Sequence, residues 1–207
     1  MSTEAPKLTL SQRKRLDILA ASREEFLETG FRDTSMDRVA ERAQVSKRTV
    51  YNHFPSKEDL FKAVAIQFIE NLQQAISLEY DPGRAADEQL RELARREIQQ
   101  ITDPDYVAVF RLFLAEITNF PDLFNEILEE SGTGHDPVQA WVSAAMKDGA
   151  LKKSDAQLAA SQFTALLKGP LFWPAVAGYG DIPSPRECKT VMEGAVSMFM
   201  DHHGSRR

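Results

Sequence analysis

Apolar residues recur at spacings of three and four along nearly the whole of this chain, and no convincing run alternates residue by residue. The first pattern paints one face of a helix, whereas alternation with period two marks a half-buried strand. An all-α fold is therefore the expectation, with about nine helices and no sheet. The interruptions carry helix-ending chemistry: Gly30, Pro55, Asp81-Pro82-Gly83, Asp103-Pro104, Pro121 and the Ser-Gly-Thr-Gly run at 131–134. Proline blocks a helix interior, and glycine takes the left-handed conformation that ends one.

Start signals stand between these stops. Ser11 is the expected N-cap of a first helix running to Thr29, with Leu16, Leu19, Ala20, Arg23, Phe26 and Leu27 near one face; the ten residues before it read as a loose arm. Thr34 with Asp37 has the form of a capping box, opening a short helix through Ala43. Ser46 caps another that ends near Phe54. Ser56 with Asp59 opens a long helix in which Phe61, Val64, Phe68 and Leu72 recur at helical spacing. Later helices are predicted over 85–101, 105–118, 121–131 and 137–147, then from Ser154-Asp155 until Gly169-Pro170 bends or ends the run. Residues 174–185 are too rich in Gly and Pro to be regular, and a last helix spans 185–201.

With 207 residues, 43% of them hydrophobic, the chain has material for a sizeable core. Its single cysteine, Cys188, excludes an intramolecular disulfide and a cysteine zinc cage. The start, MSTEAPKLTLSQRKRL, lacks the apolar stretch of a secretory signal, and nowhere do 18 apolar residues run together. A cytoplasmic protein without a membrane segment is expected. The net charge of −6 divides unevenly: residues 1–57 hold 11 Lys+Arg against 8 Asp+Glu and carry +3, while residues 58–207 carry −9. A basic segment on an acidic body suggests that the segment alone meets a polyanion. Ordinary fluctuation in surface charge is the competing reading.

The stretch SMDRVAERAQVSKRTVYNHF chooses between them. Met36, Val39, Ala40 and Ala43 share the inner face of one short helix, Val45 sits in a turn, and Val50 and Phe54 line the inner face of the next. That is the spacing of a helix-turn-helix, whose second helix enters the DNA major groove. Ser46, Lys47, Arg48, Thr49, Tyr51, Asn52 and His53 then face outward. Arg48 and Asn52 suit bidentate contacts to guanine or adenine edges, and the hydroxyls, cations and rings suit phosphates and sugars. Taken singly, Lys47 and Arg48 are ordinary solvated charges, His53 a structural residue and Tyr51 a cover for the core edge.

The string as a whole is more specific. FLETGFRDTSMDRVAERAQVSKRTVYNHFPSKEDLFKAV, from about Phe26 to Val64, resembles the DNA-binding domain of the TetR family of bacterial transcriptional repressors. Gln44 departs from it, standing where the family often has Gly; at positive φ a Gln costs roughly 1 kcal/mol. The resemblance implies a homodimer binding a pseudo-palindromic DNA operator through residues 1–56, with residues 57–207 as ligand-binding and dimerisation domain. Carried over by position, Thr34, Lys47, Tyr51, His53 and Lys57 meet phosphates, Ser46, Arg48, Thr49 and Asn52 lie nearer the bases, and Ser35 joins the DNA-binding set. FRLFLAEITNFPDLF at 110–124 is similar to the core of an AefR-like branch.

In the acidic body, Phe68, Phe110, Phe113, Leu114, Ile117, Phe124, Trp141, Met146 and Phe163 are candidate pocket residues, with plain core as the alternative for each. A buried Trp brings an N–H that needs a partner, which favours Trp141 as a pocket wall. For dimerisation the last two long helices offer Ala159, Leu166, Leu167, Val191, Gly194, Ala195, Met198 and Phe199, where small residues between large ones allow close packing. Burial within one chain competes at each position. The four histidines (His53, His135, His202, His203) have no partner at an active-site spacing, the last two reading as a tail. No enzyme, cofactor or metal site is expected. Cys188, near a helix start, is a structural thiol or, less readily, a redox sensor. A ligand-released repressor is the leading expectation; an activator, an effector-independent regulator and a helical carrier of an apolar metabolite are the alternatives.

Overall fold

The computed structural model describes residues 8–117, 119–131 and 136–205, and these contain eleven helices. They are α1 (Leu10–Asp33), α2 (Met36–Arg42), α3 (Lys47–His53), α4 (Lys57–Ile76), α5 (Ala86–Ile101), α6 (Pro104–Ile117), α7 (Pro121–Glu130), α8 (Pro137–Asp148), α9 (Ala156–Leu171), α10 (Trp173–Ala177) and α11 (Pro185–His203). Among the described residues there is no strand, only an isolated antiparallel bridge between Leu151 and Gly204. No described helix is long and apolar enough to cross a membrane. The expected arm at residues 1–7 and the loop at 132–134 lie outside the described residues, as does His135.

Capping chemistry sets the boundaries, with some corrections. Thr9, not Ser11, caps α1, because Gln12 three residues on completes a reciprocal box with it. Ser35, not Thr34, caps α2 through the Arg38 amide. Ser46 accepts from the Thr49 amide, and Ser56 and Asp59 exchange backbone and side-chain bonds at the head of α4. Gly30 breaks α1 as expected: at φ 77, ψ 166 it kinks the chain, and helical turns resume to Asp33. Pro170 does not end α9. It sits in the last turn, where burial of Leu171 and Phe172 holds the helix despite the missing N–H. The stretch 174–185 is not wholly irregular, since α10 occupies its start and closes on Gly178 at φ 77.

The chain forms two compact units. One comprises residues up to Phe68 together with Leu112–Glu130; the other comprises Ile69–Arg111 and Ser131–Arg207. In the first, Ile18, Leu19, Phe26, Phe31, Val39, Val50, Phe54, Leu60 and Phe61 form one buried cluster. The buried stripe of α1 is Ile18, Leu19, Ser22, Glu25 and Phe26, whereas Leu16, Ala20, Arg23 and Leu27 face solvent. In edge-to-face geometry Phe61 meets Phe26 at 5.4 Å, Phe31 at 5.0 Å and Phe113 at 5.2 Å. In the second unit α9 packs against α5, α8, α10 and α11. Trp141, Phe163, Leu167, Leu90 and Leu93 are fully buried there. Backbone bonds from Lys152 to His203 (2.7 Å) and from Ser205 to Ala150 (3.0 Å) tie down the chain end.

Candidate nucleic-acid interface

Helices α2 and α3 are joined through Ala43, Gln44 and Val45. Gln44 has φ 54, the left-handed conformation that glycine adopts without strain, and the Val45 amide returns to the Ala40 carbonyl at 3.0 Å. The turn therefore has the geometry that Gly would favour, built on Gln. Val50 and Phe54 are buried, which fixes the rotation of α3. Ser46, Lys47, Arg48, Tyr51 and Asn52 are exposed as a consequence, and Thr49 and His53 are half-buried. Tyr51 shows 49% of its surface. Among the described residues the side chains of Arg48, Tyr51 and Asn52 have no hydrogen-bond partner; Lys47 pairs with Asp37.

The scaffold beneath this face is held by charge. Glu25 of α1 is buried and takes Arg38 Nε at 2.7 Å and Arg42 at 3.0 Å, so two cations of α2 clamp one carboxylate. Arg42 also bonds Glu24 and Glu28, and its hydrogen bond holds the Glu28 carboxyl below its usual range. Two expected phosphate contacts take part in this scaffold. The Thr34 hydroxyl is buried against the Gly30 carbonyl (2.8 Å) and the Thr29 hydroxyl (3.0 Å). The Lys57 ammonium donates to the carbonyls of Arg32 (2.8 Å) and Thr34 (3.1 Å) and lies 4.7 Å from the Phe31 ring centre. It closes the end of α1, with two of its three donors engaged within the protein. Ser35 is exposed, its hydroxyl oxygen serving the α2 cap.

The candidate pocket residues divide between the units. Phe68, Phe113, Leu114, Ile117 and Phe124 belong to the first, where Phe113 joins the ring cluster and Leu114 is 41% exposed. Phe110, Trp141, Met146 and Phe163 belong to the second, and the last three are buried. Trp141 Nε1 is buried without a hydrogen-bond partner among the described residues. Of the eight interface candidates, Leu166, Val191 and Gly194 are partly exposed and Met198 is 62% exposed. Ala159, Leu167, Ala195 and Phe199 are buried within their own unit, because the expected set straddles the outward and inward sides of α9 and α11. Leu158 and Trp173, exposed on α9 and α10, were not among the candidates.

His203 is not a tail residue. It lies within α11, buried against Phe199 with Nε2 3.1 Å from Gln162 Oε1, and burial pushes its pKa down. Burial likewise pushes the Cys188 thiol up, opposite to what activation as a thiolate requires. Spacing of the apolar residues alone missed Glu97 of α5, a carboxylate 2% exposed beside Lys168 of α9. One signal could have found it: Gln89, Leu93, Glu97 and Ile101 recur every four residues, and all four are buried.

A braced helix-turn-helix offering an unpartnered Arg, Tyr and Asn, carried on a helical chain, defines a DNA-binding transcriptional regulator. Residues 18–64 match the family described as bacterial regulatory proteins, tetR family, and residues 88–205 match the AefR-like transcriptional repressor C-terminal domain. The HTH-type transcriptional regulator RutR of Escherichia coli is 30% identical over 148 residues, 70% of this chain and 67% of RutR. Among solved structures, a TetR family regulator from Pseudomonas syringae pv. tomato is 40% identical with a TM-score of 0.77, covering 94% of this chain and 99% of that one. The flavonoid-responsive regulator FrrA is 30% identical, also with a TM-score of 0.77 and the same coverage. The chain belongs to the TetR family of bacterial transcriptional regulators, with an AefR-like C-terminal domain; it is a regulator and not an enzyme.

Proposed function

We propose that this chain is a cytoplasmic, ligand-responsive repressor that acts as a homodimer on a pseudo-palindromic operator. The carrying observation is the outer face of α3, where Arg48, Tyr51 and Asn52 stand exposed without partners in the protein. Arg48 and Asn52 have the donor and acceptor geometry for base edges, with Ser46 and Thr49 beside them. Lys47, Tyr51 and His53 serve phosphates, and Ser35 adds a hydroxyl at the head of α2. Two such helices spaced about 34 Å apart fit successive major-groove faces.

Repression is supported by the match to a repressor C-terminal domain, and response to a small, largely apolar molecule by the similarity to a flavonoid-responsive regulator. Pairing is supported by exposed Leu158 on α9 and Met198 on α11, with Leu166 and Val191 partly exposed near them. In this reading residues 1–56 bind DNA and residues 57–207 bind the effector and the second copy. Helix α4 starts three residues after Phe54 and runs without a break to Ile76. An effector favouring one position of that helix by about 1–3 kcal/mol lowers operator affinity roughly 5- to 150-fold.

The test is selection from random DNA, followed by anisotropy titration of the enriched duplex at two salt concentrations. A palindromic site whose affinity falls steeply with salt is expected. Arg48→Ala should cost about 1–3 kcal/mol and relax specificity at one base position, while Tyr51→Ala weakens all sequences alike. A folded dimer that enriches no sequence sinks the reading.

A further inference from the structure

Helix α1 overhangs the core it packs on. Ile18, Leu19, Ser22 and Phe26 are buried, and residues three and four apart share a helix face. The same inward stripe therefore continues backward through Arg15, Lys14 and Ser11. Lys14 is half-buried there, and Arg15 and Ser11 are exposed. Where the stripe leaves the core it changes from carbon to two adjacent cations and a hydroxyl.

The protein does not neutralise these cations. Elsewhere in the first unit Arg38 and Arg42 engage Glu25, Lys47 engages Asp37, and Lys62 engages Glu126 and Glu130. Among the described residues the side chains of Lys14 and Arg15 make no hydrogen bond or ion pair, although Asp17 stands close by in sequence. The Arg15 guanidinium lies over the Phe54 ring instead, 5.0 Å from its centre. Phe54 is buried and closes α3 directly after His53. Stacking fixes the planar fork and leaves its N–H edge open to an acceptor. Thr9 already takes the Gln12 amide, so the patch consists of side chains and not of a bare helix end.

We propose that the overhanging start of α1 is a second DNA-binding surface, where Lys14 and Arg15, with the Ser11 hydroxyl, grip backbone phosphates beside the end of α3. This rests on the reading of α3 as the operator-binding helix. Unpaired positive charge calls for a polyanion, and the seat of Arg15 on the residue that ends α3 favours the duplex bound there. An ammonium and a stacked guanidinium serve any phosphate oxygen, so the surface adds affinity without base preference. Arg13 is the internal control. It is exposed and without an ion pair among the described residues, but it lies on the opposite side of α1, in line with solvent-facing Asp17 and Ala20.

The test is the salt dependence of binding to two duplexes, the selected operator and an unrelated sequence of equal length, followed by anisotropy with the full-length protein. Lys14→Gln and Arg15→Gln should each flatten the slope of log K against log salt by about 0.9 per head, on both duplexes. With two heads, each variant then loses roughly twelvefold less affinity than the wild type between about 50 and 200 mM salt. The ratio of operator to unrelated binding should stay unchanged, in contrast to Arg48→Ala, which lowers it. Arg13→Gln should alter neither quantity. Arg15→Lys should restore the slope, because a phosphate contact needs the charge whereas stacking on Phe54 needs the planar fork. Lys14→Gln decides the matter if Arg15→Gln does not fold. Unchanged slopes in both glutamine variants, or an equal change in Arg13→Gln, overturn the surface and leave the regulator standing if an operator is still selected. Slopes that depend on Lys14 and Arg15 in a protein that selects no operator do the reverse. Binding of neither duplex removes both. Capture by phosphatidylserine vesicles that needs Lys14 and Arg15, with DNA slopes unaltered, assigns the patch to lipid and overturns the proposal.

Discussion

Lys57→Met asks whether the lysine that follows the recognition helix is a brace or a DNA contact. Methionine keeps the length and apolar stem of the side chain while removing the charge. What is lost is the pair of bonds to the Arg32 and Thr34 carbonyls and the approach to the Phe31 ring. Hydrogen bonds from charged donors contribute about 1.5–3 kcal/mol when shielded. Lys57 is only half-buried, so about 1 kcal/mol for each carbonyl is the appropriate figure after solvent screening. The ring adds about 0.5 kcal/mol. Release of lysine rotamer entropy offsets roughly 1 kcal/mol. The net loss is about 1.5 kcal/mol, which for a chain of this size lowers Tm by about 3–6 °C.

Thermal unfolding supplies the first readout and the salt dependence of operator binding the second. Each phosphate contact contributes about 0.9 to the slope of log K against log salt, so a contact made by both heads of a dimer contributes about 1.8. As a brace, Lys57→Met lowers Tm and leaves that slope unchanged. Lys47→Met is the control, because Lys47 is exposed on α3: it should reduce the slope by about 1.8 with little change in Tm. A Lys57 variant with unaltered Tm and a slope reduced by about 1.8 would falsify the brace.

Three further outcomes are expected. Gln44→Gly relieves a side chain held at φ 54, worth about 1–2 kcal/mol, against about 0.4–1 kcal/mol of added unfolded-state entropy. Calorimetry should show a Tm higher by about 1–3 °C, whereas Gln44→Ala, which keeps the Cβ, gives no gain. Met198→Glu puts a charge on the exposed face of α11 and should yield a folded monomer by sedimentation; an intact dimer removes that face from the interface. Glu97→Gln should stabilise the protein in a pH-dependent way. Burial raises the folded-state pKa of Glu97 above its ordinary 4.5, so between the two values the folded state binds more protons and stability falls as pH rises. The advantage of the glutamine variant should therefore be near zero around pH 4.5 and grow toward neutral pH; a constant difference in Tm contradicts an ionised buried Glu97.

The head was legible because its determinants are local. Ser46 caps, Val50 and Phe54 set the rotation of α3, and what remains on that helix must face outward. The conformation of Gln44 follows from the same argument, since a turn that short needs one left-handed residue. The contacts of Thr34 and Lys57 within the protein were not legible, because their partners are backbone carbonyls brought together only when Gly30 kinks α1. A cation one residue past a predicted cap reads as a phosphate contact until the carbonyls are in place.

The body failed differently, through phase. On α9, Leu158 and Leu166 are the more exposed members of adjacent pairs in which Ala159 and Leu167 are buried. One position turns a helix by about 100°, so a stripe that is apolar on both sides cannot say which side meets its own core. Polar residues at buried positions break such a tie. Gln89 and Glu97 interrupt an apolar ladder at every second step, and a polar group repeated on a buried face is a demand for a partner. For Gln89 the partner is the preceding turn. For Glu97 the chain itself provides only half of one, in Lys168, which stands 3.5 Å from Oε1 and leaves Oε2 without a partner among the described residues.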